Sequence, residues 1–185
     1  MNQKKQVNHK FKSKLIASSK DSFNIELIES LDDKTAQDII NISKDLKDIY
    51  GPNSILTNDN IHKYFNNTTL PFLAKMNNNV IGFIIGASLE NFSNQSWVQY
   101  DENLGQNNTL YTYAFIFQSK YRKKGGYSKT LKKIYTSWAK KRGFSYISGH
   151  IKKSIFKTNN KIEVIKEFSK WYESDEPFIF YRRKI

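Results

Sequence analysis

An α/β fold with a mixed, mostly antiparallel central sheet flanked by helices is predicted by three stretches of the chain. Leu70 to Met76 and Val80 to Leu89 are apolar runs separated by Asn77-Asn78-Asn79. Asparagine tolerates left-handed φ, so this stretch reads as a tight antiparallel hairpin. Tyr111 to Phe117 reads as a strand that leads through a basic glycine turn, Gln118 to Ser128, into a helix ending before Gly143. Phe144 to Ile151 is a further strand, and a strand, helix and strand in succession make a right-handed crossover with parallel strands.

Met1 to Ser22 is polar and basic, with Lys4, Lys5, Lys10, Lys12, Lys14 and Lys20 and only a short Leu15-Ile16-Ala17 apolar patch. It reads as a flexible arm, residues 1–22, ahead of a single domain over residues 23–185. Phe23, Ile25 and Leu27 alternate with polar residues and predict a first strand. Asp32 or Asp33 caps a helix that carries Ala36, Ile39, Ile42, Leu46 and Ile49 on one side and stops at Gly51-Pro52. A shorter helix opens at Thr57 or Asn58, with Ile61, Tyr64 and Phe65. Glu90 to Asn108 is polar, with Trp97, Val98 and Tyr100 isolated in it, and reads as a long loop or a short extra strand.

In the crossover helix Leu131, Ile134, Tyr135, Trp138 and Ala139 recur at helical spacing, with Lys129, Lys132, Lys133, Lys140 and Lys141 opposite them. Asn159 or Asn160 is expected to start a last helix bearing Ile162, Ile165, Phe168 and Trp171, and Pro177 to Tyr181 a closing strand.

The chain of 185 residues is long enough to bury a real core, and no stretch approaches the roughly 18–20 apolar residues of a membrane span. Lysines near the start are not followed by the apolar segment of a secretory signal, and there is no cysteine for disulfides or a thiolate metal site. A cytoplasmic protein without a metal or membrane association, monomeric or homodimeric, is expected. The formal charge of +13 favours acidic partners: nucleic acid, an anionic cofactor or an acidic protein surface.

The turn is suited to phosphate. Gly125 and Gly126 permit φ > 0 and bring backbone N–H groups close to a ligand, and the helix that follows aims its positive end at the same point. Arg122, Lys123, Lys124 and Lys129 add charge there. A glycine-rich turn is also an ordinary way to enter a crossover helix.

Over residues 23–185 the order of elements resembles the GCN5-related N-acetyltransferase (GNAT) family. Phe72-Leu73-Ala74-Lys75-Met76, followed by Asn79-Val80-Ile81-Gly82-Phe83-Ile84, looks like that family's second and third strands. Phe117 to Ser128 looks like the end of its fourth strand and its acetyl-CoA signature: arginine or glutamine, two residues, glycine, one residue, then glycine or alanine. Two registers fit. Arg122 with Gly125 keeps a tyrosine-arginine pair but puts Tyr127 at the small-residue position; Lys123 with Gly126 puts Ser128 there and is preferred.

The resemblance implies a parallel, splayed pair formed by the family's fourth and fifth strands. It also implies acetyl-CoA as acyl donor and transfer to a primary amine of a protein or small molecule by direct attack in a ternary complex. The backbone of Phe115, Ile116 and Phe117 would meet the pantetheine arm, as would Asn159 or Asn160. The strand Leu110 to Phe117 lacks the glutamate of many family members, so His150 becomes the candidate base, because imidazole titrates near neutrality. Glu90, Asp101 and Glu102 are alternatives acting through water, and Tyr172 is the nearest tyrosine to the family's acid. A domain of the same fold without activity, binding nucleic acid or an acidic protein through its lysines, is the other expectation.

Overall fold

The computed structural model describes residues 10–185. The strands are β1 (Lys12–Ser18), β2 (Phe23–Ser30), β3 (Leu70–Met76), β4 (Asn79–Ser88), β5 (Thr109–Phe117), β6 (Tyr146–Lys152), β7 (Ile162–Phe168) and β8 (Phe178–Lys184). The α-helices are α1 (Asp33–Ser43), α2 (Lys47–Tyr50), α3 (Ile61–Tyr64) and α4 (Tyr127–Lys141). All the strands join one sheet in the order β1-β2-β3-β4-β5-β6-β8-β7, antiparallel throughout except for the parallel pair β5–β6. Among the described residues no helix is long and apolar enough to cross a membrane.

Each face of the sheet has its own core. On one, α1 buries Ala36, Ile39 and Ile40 against Leu73, Phe83, Ile85 and Ile116. Its start is fixed by the Asp32 carboxylate, which accepts the Thr35 N–H at 2.8 Å, as the sequence predicts. On the other, α4 lays Leu131, Tyr135 and Ala139 on Phe72, Ile84 and Leu110. A third cluster covers the far end of the sheet, where Trp97 and Val98 from the β4–β5 connection meet Tyr111, Trp171, Phe178 and Phe180. That connection is a loop with two 3-10 turns, Leu89–Phe92 and Ser96–Tyr100, and its isolated apolar residues anchor it. The hairpin β3–β4 turns on Asn77 and Asn78, both at left-handed φ (48° and 63°).

Two expectations are corrected. Residues 12–18 of the predicted arm form β1, with Ile16 and Ala17 against the α4-side core, while residues 1–9, including Lys4 and Lys5, lie outside the described residues. Irregularities at Lys12/Ser13 and Leu15/Ala17 break the alternation that would have marked the strand, and its lysines suit a solvated sheet edge. The splayed parallel pair is therefore the fifth and sixth strand of this chain.

The last helix does not form; Ile162–Phe168 is β7, paired with β8. Val164 faces Tyr181 and Lys166 faces Phe180, so Ile165 is an extra residue in a β-bulge. The bulge gives Ile162, Ile165 and Phe168 a spacing of three, which mimics a helical stripe in a segment whose Ile, Val and Phe suit a strand.

Candidate active site

β5 and β6 pair only at Thr109↔Tyr146, Leu110↔Ile147 and Tyr111↔Ser148, then diverge. At that point β5 is itself irregular: Gly86 faces Thr112 and Ile85 faces Ala114, leaving Tyr113 as the bulged residue. From Thr112 to Phe117 the side of β5 turned toward β6 has no strand partner, although Phe115, Ile116 and Phe117 pair with Ile84, Phe83 and Gly82 of β4. An unpaired strand edge is a template for an extended ligand.

The turn at the end of β5 holds three left-handed positions, Lys123 (58°), Gly125 (58°) and Gly126 (68°), and α4 then starts without a capping side chain. Its first-turn N–H groups therefore point at the turn as a phosphate site requires. Arg122 is committed elsewhere: Nε donates to the Phe117 carbonyl at 2.7 Å and Nη2 to Asp45 at 2.7 Å, pinning the turn to β5 and to the 3-10 turn Lys44–Leu46 that joins α1 to α2. Lys123 and Lys124 are exposed. Tyr127 folds its ring over Gly125 and against Phe23 (centroids 4.7 Å apart), whereas a Cβ on Gly126 would meet nothing within 4 Å. The register Lys123 with Gly126 thus leaves both of its residues accessible, with the partly buried Ser128 in the first turn of α4.

Asn159 and Asn160 are exposed in the connection to β7; Asn159 Oδ1 accepts the Lys161 N–H at 2.9 Å. With no helix after them, the geometry by which the resemblance would carry an asparagine to pantetheine is missing.

On the α1 side of the splay lies a cavity of about 90 Å³. Its walls include Tyr50, Trp97, Trp171 and the β5 residues Tyr111 to Ala114, and it brings His150 and Tyr172 together. The His150 ring is stacked between Trp171 (3.4 Å) and Phe180 (4.6 Å), and Nδ1 is 3.0 Å from the Tyr111 hydroxyl. Burial holds its pKa well below 6.5, so the imidazole is neutral, and Nε2 has no protein partner. Burial also pushes the Tyr50 hydroxyl up to about 12. Tyr113 stacks on Tyr64, ring centroids 3.9 Å apart. Tyr172 stands at the exposed rim in a left-handed conformation (φ 53°), its ring edge on Trp171.

Glu90 is not part of this group. Burial alone would raise its pKa, but hydrogen bonds from the Ser88 hydroxyl and the Asn107 N–H (2.9 Å) outweigh it and hold the carboxylate below 4.5. It closes the β4–β5 connection. Asp101 is buried in an ion pair with Arg182, which also grips Glu163 at 2.6 Å, and accepts the Asn103 N–H at 3.0 Å. Among the described residues no carboxylate lines the cavity. The bulge at Tyr113 and the ring cage around His150 are the features sequence reasoning missed. The first sits inside a continuous apolar run, and the second is assembled from separate segments.

No protein-family model and no curated protein matches the chain in sequence. Solved structures match it in fold. The ribosomal-protein-S18-alanine N-acetyltransferase from Escherichia coli is 12% identical, covering 88% of this chain and 94% of its own, with a TM-score of 0.60. A GCN5-related N-acetyltransferase from Kribbella flavida is 12% identical over 90% of this chain and 100% of its own (TM-score 0.63). The aminoglycoside 6'-N-acetyltransferase from Enterococcus faecium is 10% identical over 86% and 96% (TM-score 0.57). At these identities the likeness is one of architecture, and it agrees with the splayed parallel pair and the glycine turn: the chain has the fold of the GCN5-related N-acetyltransferases.

Proposed function

We propose that the protein is an acyl-CoA-dependent N-acetyltransferase that transfers an acetyl group from acetyl-CoA to a primary amine by direct attack in a ternary complex. The observation that carries this reading is the open edge of β5 running from the Tyr113 bulge to a glycine turn at the uncapped start of α4. The uncapped N–H groups, with Lys123, Lys124 and Lys129, suit the pyrophosphate, and the open edge Phe115 to Phe117, apart from the Phe117 carbonyl that Arg122 holds, suits the pantetheine arm. That places the thioester near the bulge, where a backbone N–H of Tyr113 or Ala114 takes the role of donor to the developing oxyanion.

The amine enters from the aromatic cavity. Its nitrogen attacks the carbonyl carbon, the C–N bond forms, the C–S bond breaks, and the proton lost by nitrogen must finally reach sulfur. His150, which burial makes a weak base, positions the Tyr111 hydroxyl at the cavity wall through their 3.0 Å contact; the proton leaves nitrogen for solvent at the open rim, and Tyr172 is the hydroxyl nearest the rim to protonate the thiolate. The expected result of incubating acetyl-CoA with primary amines is amine-dependent release of free thiol, read with a chromogenic thiol reagent and slowed by His150→Gln.

The second reading is a domain of the same fold without activity that binds nucleic acid or an acidic protein through its basic surface. It is favoured by the carboxylate-free cavity and by β7 standing where the last helix was expected. Duplex DNA binding at physiological salt, together with no thiol release for any amine, would select it.

A further inference from the structure

We propose that the acceptor site is selective for a monoamine carried on an apolar body, and that it discriminates against polyamines and aminoglycosides. This rests on the acyl-transfer reading above. The cavity at the β5–β6 splay is walled by aromatic rings, among them Tyr50, Tyr111, Tyr113, Trp97 and Trp171, and among the described residues no Asp, Glu, Lys or Arg lines it. Asp101 is ion-paired with Arg182, and Glu173, which lies outside the wall and keeps its charge, accepts the Asn53 amide at 2.7 Å.

Size restricts what enters. The cavity, about 90 Å³, admits the amine end of an acceptor. The remainder of the acceptor lies at the rim against Tyr172, which is 65% exposed.

Charge restricts it further. Burial without a counter-ion lowers an ammonium pKa by up to about 3–5 units. A ring face over the cation returns only about 1.5 units. The difference takes an ammonium pKa of about 10.4 down to about 7–9, so the nucleophilic free base is reached more readily in the site than in water. A second ammonium, as in a polyamine, finds no carboxylate in the cavity wall and a protein of formal charge +13 around it.

The test uses the full chain without acyl donor. Intrinsic tryptophan fluorescence of the Trp138→Phe protein, which leaves Trp97 and Trp171 as the emitters, is titrated with n-butylamine, phenethylamine, spermidine and kanamycin at matched ionic strength and pH. Saturable quenching by the two monoamines, at least tenfold tighter than by the other two, is expected. Tyr172→Glu, which places a carboxylate at the exposed rim, should narrow that gap at least tenfold. Equal or tighter binding of spermidine or kanamycin, or no quenching by either monoamine, would overturn the inference. Thiol release in parallel separates the two proposals. Saturable butylamine binding with no turnover of any amine would uphold the selectivity and contradict acyl transfer. Preferred turnover of spermidine would do the reverse.

Discussion

Burial between Trp171 and Phe180 keeps the His150 imidazole neutral, with its pKa well below 6.5. The folded state therefore resists a proton that the unfolded chain accepts near pH 6.5, so the stability tied to this residue is fully present above pH 6.5 and lost as pH falls below it. A single such proton contributes a slope of up to about 1.4 kcal/mol per pH unit. His150→Gln should be less stable than the parent at pH 8, because the ring stack is lost, yet show a shallower decline between pH 6.5 and 5 in urea denaturation. Parallel pH profiles for the two proteins would show that His150 is not the titrating group. The same environment explains why the sequence identified the residue and not its state. A histidine at a strand end is visible in Phe144 to Ile151, but Trp97, Trp171 and Phe180, which bury it, lie on the β4–β5 connection, the β7–β8 connection and β8.

At the scale of elements, periodicity gave the right answer wherever the element is regular. The α4 stripe and the asparagine hairpin are formed by the residues that predict them. It failed where a bulge resets the count, as at Ile165 in β7 and at the irregularities of β1, and it was silent at Tyr113, where the irregularity shapes the site. The turn into α4 is the element with the sharpest demand on a single residue. Gly126 has φ 68° and open space where a Cβ would project, so a side chain there adds backbone strain of about 1–2 kcal/mol without a core clash. Under the proposed function that open space is where the pyrophosphate approaches. Gly126→Val should accordingly cost no more than that in urea denaturation while weakening CoA binding by at least tenfold in calorimetry. Unchanged CoA affinity would show the turn to be structural only.

Across the whole molecule the two unequal demands on the sheet are met at different places. Antiparallel pairing from β1 to β5 and from β6 to β7 supplies the scaffold, and the one parallel pair, joined over only three residue positions, supplies the opening. The order of elements made this architecture legible from residue 23 to the closing strand, apart from β7, because the hairpin and the crossover each leave a local signature. The acceptor cavity was not legible, because it is defined by surfaces that meet only in the folded chain. The account as a whole depends on the splay and turn recognising coenzyme A rather than any polyanion. CoA titrated into the full-length protein, with a duplex DNA oligomer of matched phosphate concentration alongside, decides this by the shift in melting temperature. The account predicts a saturable rise with CoA that Gly126→Val abolishes and a smaller, salt-sensitive effect of DNA that the variant retains. No shift at millimolar CoA, or a shift with DNA alone, would contradict it.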